Sequence, residues 1–110
     1  MALISAGAAE PIAIEVVSAE VGYDQRSGEA IVSFRMSEAS RTAFARFTVA
    51  NVGRKIELRV DGKTVTAPVI REPIVGGSGQ LVGRFTPQQA RDIAEGLSSG
   101  RSKLEMELAP

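Results

Sequence analysis

Lys55-Ile56-Glu57-Leu58-Arg59-Val60-Asp61-Gly62-Lys63-Thr64-Val65-Thr66-Ala67 carries the strongest local structural signal in the chain. Ile56, Leu58 and Val60 alternate with Lys55, Glu57 and Arg59, the period of two that marks a half-buried strand. Asp61-Gly62 then supplies a two-residue hairpin turn. Both central positions of such a turn need positive φ, which aspartate tolerates and glycine adopts without steric cost. A two-residue loop sets Val60 opposite Lys63, and therefore Leu58 opposite Val65 and Ile56 opposite Ala67, with apolar side chains together on one face.

Beyond this hairpin, Pro68, Pro73 and Gly76-Gly77-Ser78-Gly79 interrupt regular structure, so Val69 to Gly79 reads as a shaped loop and Gln80 to Phe85 as a short strand. Thr86-Pro87-Gln88-Gln89 opens a helix. The threonine hydroxyl and the glutamine three residues on form a capping box, and proline fits the first helical position. Ile93, Ala94 and Leu97 supply its buried stripe and Gly100 its end. Leu104, Met106 and Leu108 alternate with Lys103, Glu105 and Glu107 as a last strand.

Upstream, Ile12, Ile14 and Val16 alternate with Ala13, Glu15 and Val17 as a first strand, and Tyr23 to Gly28 reads as a turn. Val32, Phe34 and Met36 then face one way and Ser33 and Arg35 the other, which pairs a second strand with the first. Ser37 caps a helix toward Asn51, with Glu38 at the positive end of its dipole. Ala43, Phe44 and Phe47 form its packing face, and Gly53 ends it with a left-handed residue. The order β-β-α-β-β-β-α-β predicts an α+β two-layer sandwich, a mostly antiparallel sheet with two helices.

The chain has 110 residues, 44% of them hydrophobic, which suits one core and leaves little room for a second. Thirteen basic and thirteen acidic residues cancel and are scattered, so no field gathers nucleic acid or an anionic membrane surface. Tyr23, Phe34, Phe44, Phe47 and Phe85 do not alternate with Lys or Arg as a base-stacking platform requires, and read as core. No apolar run approaches the roughly 20 residues of a membrane span. Residues 1–10 end in Ala6-Gly7-Ala8-Ala9-Glu10, which fits the last part of a secretory signal or a disordered tail, with the domain proper over 11–110.

With no cysteine and no histidine, thiol catalysis, zinc-thiolate sites and Ser-His-Asp chemistry are excluded. Glu105 and Glu107 share a strand face, but their alternation with Leu and Met is that of a solvated strand. Gly76 to Gly83 lacks the Lys-Ser/Thr that must follow the last glycine of a phosphate loop, and reads as a turn. Arg71 and Glu72 stand between Val69-Ile70 and Pro73-Ile74. Two readings stand for this segment. Either Ile70 and Ile74 tuck into the core while the charges stay in water, or Ile74, Val75 and the glycines make a flexible apolar rim that touches extended polypeptide.

Val60-Asp-Gly-Lys-Thr-Val-Thr-Ala-Pro-Val-Ile-Arg-Glu-Pro-Ile-Val-Gly-Gly-Ser-Gly-Gln80 resembles the segment DG-x-V-x-SAP-x-I-x-x-PI-x-GG-x-G of the SecD protein-export family, with Thr66 where that family has serine. The resemblance begins at Asn51-Val-Gly53, continues through Gly83-Arg-Phe-Thr86 and reaches Leu97-Ser-Ser-Gly100, about half of the chain. It implies the head subdomain of the first periplasmic region of SecD, a non-enzymatic, periplasmic or secreted domain without cofactor or metal. Its implied partner is an unfolded or translocating polypeptide, together with the Sec translocation machinery. Both a fragment of a membrane protein and a secreted stand-alone head fit the resemblance.

The contact surface expected from this is the loop Arg71, Glu72, Pro73, Ile74, Val75, Gly76, Gly77, Ser78, Gly79 and Gln80 with the adjoining sheet edge. The alternative is a structural or assembly module of the cell envelope that keeps only the fold, pairing its uncovered sheet with a second copy or another protein.

Overall fold

A computed structural model describes residues 11–110, so the signal-or-tail reading of residues 1–10 lies outside the described residues. The elements are β1 Ile12–Ile14, β2 Val16–Tyr23, β3 Ala30–Met36, α1 Glu38–Ala50, β4 Ile56–Val60, β5 Lys63–Thr66, β6 Ser78–Val82, α2 Pro87–Ser99 and β7 Leu104–Leu108. The α+β class and the order of elements are as the sequence predicts, with the first strand divided in two. All pairings are antiparallel, and the strands form two sheets, β1-β7-β4-β5 and β2-β3-β6.

The division of the first strand produces the second sheet. Glu15 is exposed, its N–H donates to Ser40 Oγ (2.8 Å) and its carbonyl accepts from the Ser37 N–H (2.9 Å). With both backbone groups held by the start of α1, the chain leaves β7 at Ile14 and joins β3 from Val16. A register shift between Val16 and Ser18 leaves Val17 exposed. β2 runs on to Tyr23, which is 55% exposed at the strand end instead of in the core. A strand end beside a tight turn offers an aromatic ring no opposing layer to pack on.

The central hairpin pairs Val60 with Lys63 and Arg59 with Thr64, as predicted, but Leu58 stands opposite Thr66 and not Val65. One extra residue in β5 makes a bulge, and the shifted register persists: Ile56 N–H donates to Pro68 O (2.9 Å), Lys55 bridges Val69, and Ile70 N–H donates to Arg54 O (2.9 Å). The reason is parity. Without the extra residue Val69 would share the face of Ile56 and Leu58; with it Ile70 does. Ile70 is buried and Val69 is 43% exposed. At the turn, Asp61 and Gly62 take the positive φ values (52° and 83°) that a two-residue loop demands.

On α1, Ser37 Oγ accepts from the Ser40 N–H (3.2 Å), as expected of the cap. The buried face is Phe44 and Thr48 with half-buried Phe47, whereas Ala43 is exposed. Phe44 and Thr48, four apart, lie above one another; Ala43 is turned roughly 100° away. The helix stops at Asn51, whose Nδ2 donates to Phe47 O (2.9 Å), and Gly53 shapes the following turn instead of ending the helix.

On α2, the capping box of Thr86 and Gln89 forms in both directions (3.1 and 2.9 Å), and Gly100 closes the helix. Its buried side holds Ala90, Ala94, Gly96 and Leu97, with Ile93 half-buried. α2 lies across β2 and β3. The inner faces of both sheets, through Val32, Phe34, Leu81, Ile56, Leu58, Leu104 and Met106, complete one core. β6 begins at Ser78 and ends at Val82, two residues before and three before the expected limits; Gly79 lies against the Phe34 ring, so pairing starts early there.

Two aspartates fasten turns. Asp24 accepts from the Ser27 and Arg26 N–H groups (3.0 and 2.7 Å), and these bonds hold its carboxyl below the ordinary carboxylate value. Asp61 is lowered by the Lys103 N–H (2.9 Å) and by the Ser102 hydroxyl. A carboxyl depressed in the folded state contributes stability above its unfolded value, ~4, and that contribution disappears as pH falls through the lower folded value. Stability against urea is therefore expected to hold from neutral pH to about pH 5 and to decline below about pH 4. The double variant Asp24→Asn, Asp61→Asn should show a shallower acid decline; identical acid curves would refute this account.

Candidate functional site

The predicted contact segment divides into three pieces of different character. Arg71, Glu72 and Pro73 are exposed at the bend that follows the extension of the hairpin. Ile74, Val75, Gly76 and Gly77 run past α1. Ser78 and Gly79, expected in the loop, belong to β6 together with Gln80, expected to open the strand, and the three pair with Arg35, Phe34 and Ser33.

The segment is anchored at four successive places, so the expected flexible rim gives way to a fixed one. Ile70 is buried and bonded in both directions, to Arg54 O and from the Gly53 N–H (2.7 Å). Ile74, half-buried, donates its N–H to Thr48 Oγ1 (2.9 Å). Val75 O accepts from Arg41 Nε (3.1 Å), and Arg41 is itself oriented by Glu38 (2.7 Å). Gly77 O accepts from the Met36 N–H (2.8 Å). Gly77 has φ 77°, and a Cβ there would stand 3.0 Å from Arg41 Cδ, so both conformation and space call for glycine.

Ile70 and Ile74 are drawn inward, as the first reading expects, while Val75 is 56% exposed. Val75 has company. Of the seven large apolar residues exposed on the described residues, Val49 and Val52 lie at the end of α1, Val69 and Val75 in the connection and Val82 on β6. The hydrogen bonds just described fix the connection that carries Val69 and Val75 to α1, on which Val49 lies. Exposed apolar residues on fixed elements are candidates for a contact surface.

Beside this rim, the outer face of the three-stranded sheet carries rows of polar side chains. Ser18, Arg35 and Ser78 stand abreast, as do Glu20, Ser33 and Gln80. They line a shallow depression of about 260 Å³. A second depression of about 370 Å³ has Val65, Phe85 and Ile93 on its floor and Lys63, Arg84, Gln89 and Asp92 at its rim, apart from the predicted segment.

Sequence reasoning missed Thr48 and Arg41 as anchors. Thr48 stands four residues after Phe44, the one signal that could have placed it inward. Ser33 and Arg35 were legible as an outward face, but their alignment with Ser18, Glu20, Ser78 and Gln80 depends on registers across three strands. Glu107, a candidate paired carboxylate, is bonded by Arg59, which also holds Glu57 (2.5 Å). Among the described residues no group of three or more carboxylates comes together in a way that would hold a metal ion, and no helix is long and apolar enough to cross a membrane.

Comparison with known proteins gives one consistent set of likenesses. The family model described as SecDF, P1 head subdomain, matches residues 13–102. The protein translocase subunit SecD of Acetobacter pasteurianus is 41% identical over 86 residues, covering 78% of this chain and 16% of that protein. SecD of Dictyoglomus turgidum is 40% identical over 83 residues, covering 76% and 21%. Among solved structures, a membrane component SecDF that enhances protein export superposes with TM-score 0.71 at 32% identity, over 77% of this chain and 38% of that one. SecDF in its super-membrane-facing form gives TM-score 0.73 at 30% identity, over 87% and 13%. The chain thus spans about a fifth or less of the length of these SecD relatives.

Proposed function

The chain belongs to the SecDF P1 head-subdomain family, and we propose from this that it is a non-enzymatic extracytoplasmic module of protein export that binds unfolded or translocating polypeptide. Its contact surface is the segment Arg71–Gln80 with the adjoining edge of the three-stranded sheet, and the assembly it serves is the Sec translocation machinery. The observation that carries the reading is the anchored apolar rim: Val75, with Val49, Val52 and Val69, stays exposed on elements fixed by the Thr48, Arg41 and Ile70 hydrogen bonds. A surface held in place before contact loses little ordering entropy on binding, yet its few valines bury a small area. The contact is therefore weak and short-lived, which suits a chain in transit.

The test is an NMR titration of the isotope-labelled domain with a reduced, alkylated, permanently unfolded polypeptide. Amide shifts should concentrate in residues 71–80 and at the end of α1, and Val75→Asp should weaken binding about tenfold by placing a charge on the rim. Binding that leaves these amides unmoved would reject the site, and the absence of binding at the highest attainable concentration would reject the function.

A further inference from the structure

β6 is an outer strand, bonded to β3 on one side only. The Met36 N–H to Gly77 O bond fixes which of its groups face inward. In an antiparallel pair, directly opposed residues alternate between those that exchange hydrogen bonds and those whose N–H and C=O point away. Met36 and Gly77 being a bonded pair, Phe34 with Gly79 and Val32 with Leu81 are bonded as well. Ser78, Gln80 and Val82, opposite Arg35, Ser33 and Ile31, therefore turn their backbone N–H and C=O groups outward. Among the described residues these groups have no hydrogen-bond partner, and all three side chains are exposed.

The other three edges are guarded. β1 is three residues long, and β5 is short and begins with a lysine. On β2, Ser98 Oγ of α2 accepts from the Ala19 N–H (3.1 Å) and donates to the Ala19 carbonyl (2.8 Å), closing the outward pair at that point. Shortness, lysine and a covering helix are the usual devices against unwanted strand pairing. β6 has no charge, no proline, no bulge and no covering helix over Ser78 and Gln80; β5 comes beside its C-terminal end, where a Cβ on Gly83 would stand 3.0 Å from Val65 O.

We propose that the β6 edge at Ser78 and Gln80 captures client polypeptide by strand addition, the client lying extended alongside β6 and exchanging backbone hydrogen bonds with these two residues. This rests on the polypeptide-binding reading and specifies its mode. Outward donors and acceptors repeating every second residue are complementary to another extended backbone. Because the bonds are to main chain, the edge accepts clients of unrelated sequence. A second copy of the chain is a poorer occupant: five residues span about 17 Å, and a pairing of that length alone falls well short of the roughly 1,000 Å² a stable interface needs.

The decisive variant is Gln80→Pro. Proline removes one outward N–H and puts its ring in the client's place, while the inward bonds of Gly79 and Leu81 to β3 persist, so the edge position tolerates it. Gln80→Ala removes only the side chain. With the same unfolded polypeptide as probe, Gln80→Pro should lower affinity about tenfold or more and Gln80→Ala less than about twofold. A second measurement does not depend on the proline variant folding: in the wild-type domain, the Ser78 and Gln80 amides should exchange with solvent more slowly when the probe is bound. Equal losses in both variants, wild-type affinity in Gln80→Pro, unchanged amide exchange, or a wild-type dimer through this edge would each overturn strand addition while leaving polypeptide binding intact. A domain that binds no unfolded polypeptide would overturn both.

Discussion

Phe34→Ala is expected to lower the stability of the domain by about 3–5 kcal/mol, a fall of ~20 °C in Tm for a chain of this size. Phe34 is 3% exposed at the middle of β3, and its ring spreads over Gly79 of β6, where a Cβ would lie 2.7 Å from Cζ. The glycine and the ring form one packing unit. Gly79→Ala alone should cost about 1–3 kcal/mol, because a ring enclosed on all sides has no room to shift. Once the ring is gone the space above residue 79 is open. In the Phe34→Ala background, Gly79→Ala should therefore cost nothing or restore part of the loss, alanine being the better strand residue. Urea denaturation of the four proteins measures the cycle; additive losses would show that the ring and the glycine do not act on each other.

Thr48→Val is expected to cost about 1–3 kcal/mol and to loosen the candidate site. Thr48 is fully buried, and its hydroxyl donates to Ala45 O (3.1 Å) while accepting from the Ile74 N–H. Valine keeps the shape and removes the hydroxyl, so the loss isolates the hydrogen bond from packing. The Ile74 N–H is then left without a partner unless the segment moves out to water. Faster hydrogen exchange at Ile74 and Val75, at a stability otherwise near wild type in Thr48→Ser, is the expected signature. An unchanged exchange rate at Ile74 in Thr48→Val would mean that the rim is held by Arg41 and Gly77 alone.

What could be read from the sequence was local and redundant. The Asp61-Gly62 turn, the Ser37 cap and the Thr86-Gln89 capping box each combine a backbone requirement with a side chain that meets it, and each forms as predicted. The family motif is legible for the same reason. Asp61 and Gly62 turn the hairpin, Ile70 fills the core, Ile74 docks on Thr48, Gly77 passes Arg41 and Gly79 admits Phe34. These are requirements of folding before they are marks of contact.

What escaped depends on partners remote in the chain. The break at Glu15 is set by Ser37 and Ser40, and the bulge near Val65 by the need to bury Ile70 five residues later. The burial of Thr48 follows from a segment twenty-six residues downstream. Periodicity within a strand carries no trace of any of these. It also cannot tell an edge from a centre, and the glycines make Ser78 and Gly79 read as loop although they open an edge strand.

The crossing at Glu15 has a mechanical side. One continuous stretch serves as margin for both sheets, zipped to β7 before the crossing and to β3 after it, and stapled between them by Ser37, the cap of α1, and Ser40 in its first turn. Tension entering through Pro11 meets the three pairs of β1 with β7 first and the two serine bonds at Glu15 next, so the pairing of β2 with β3 carries none of the load until both have given way.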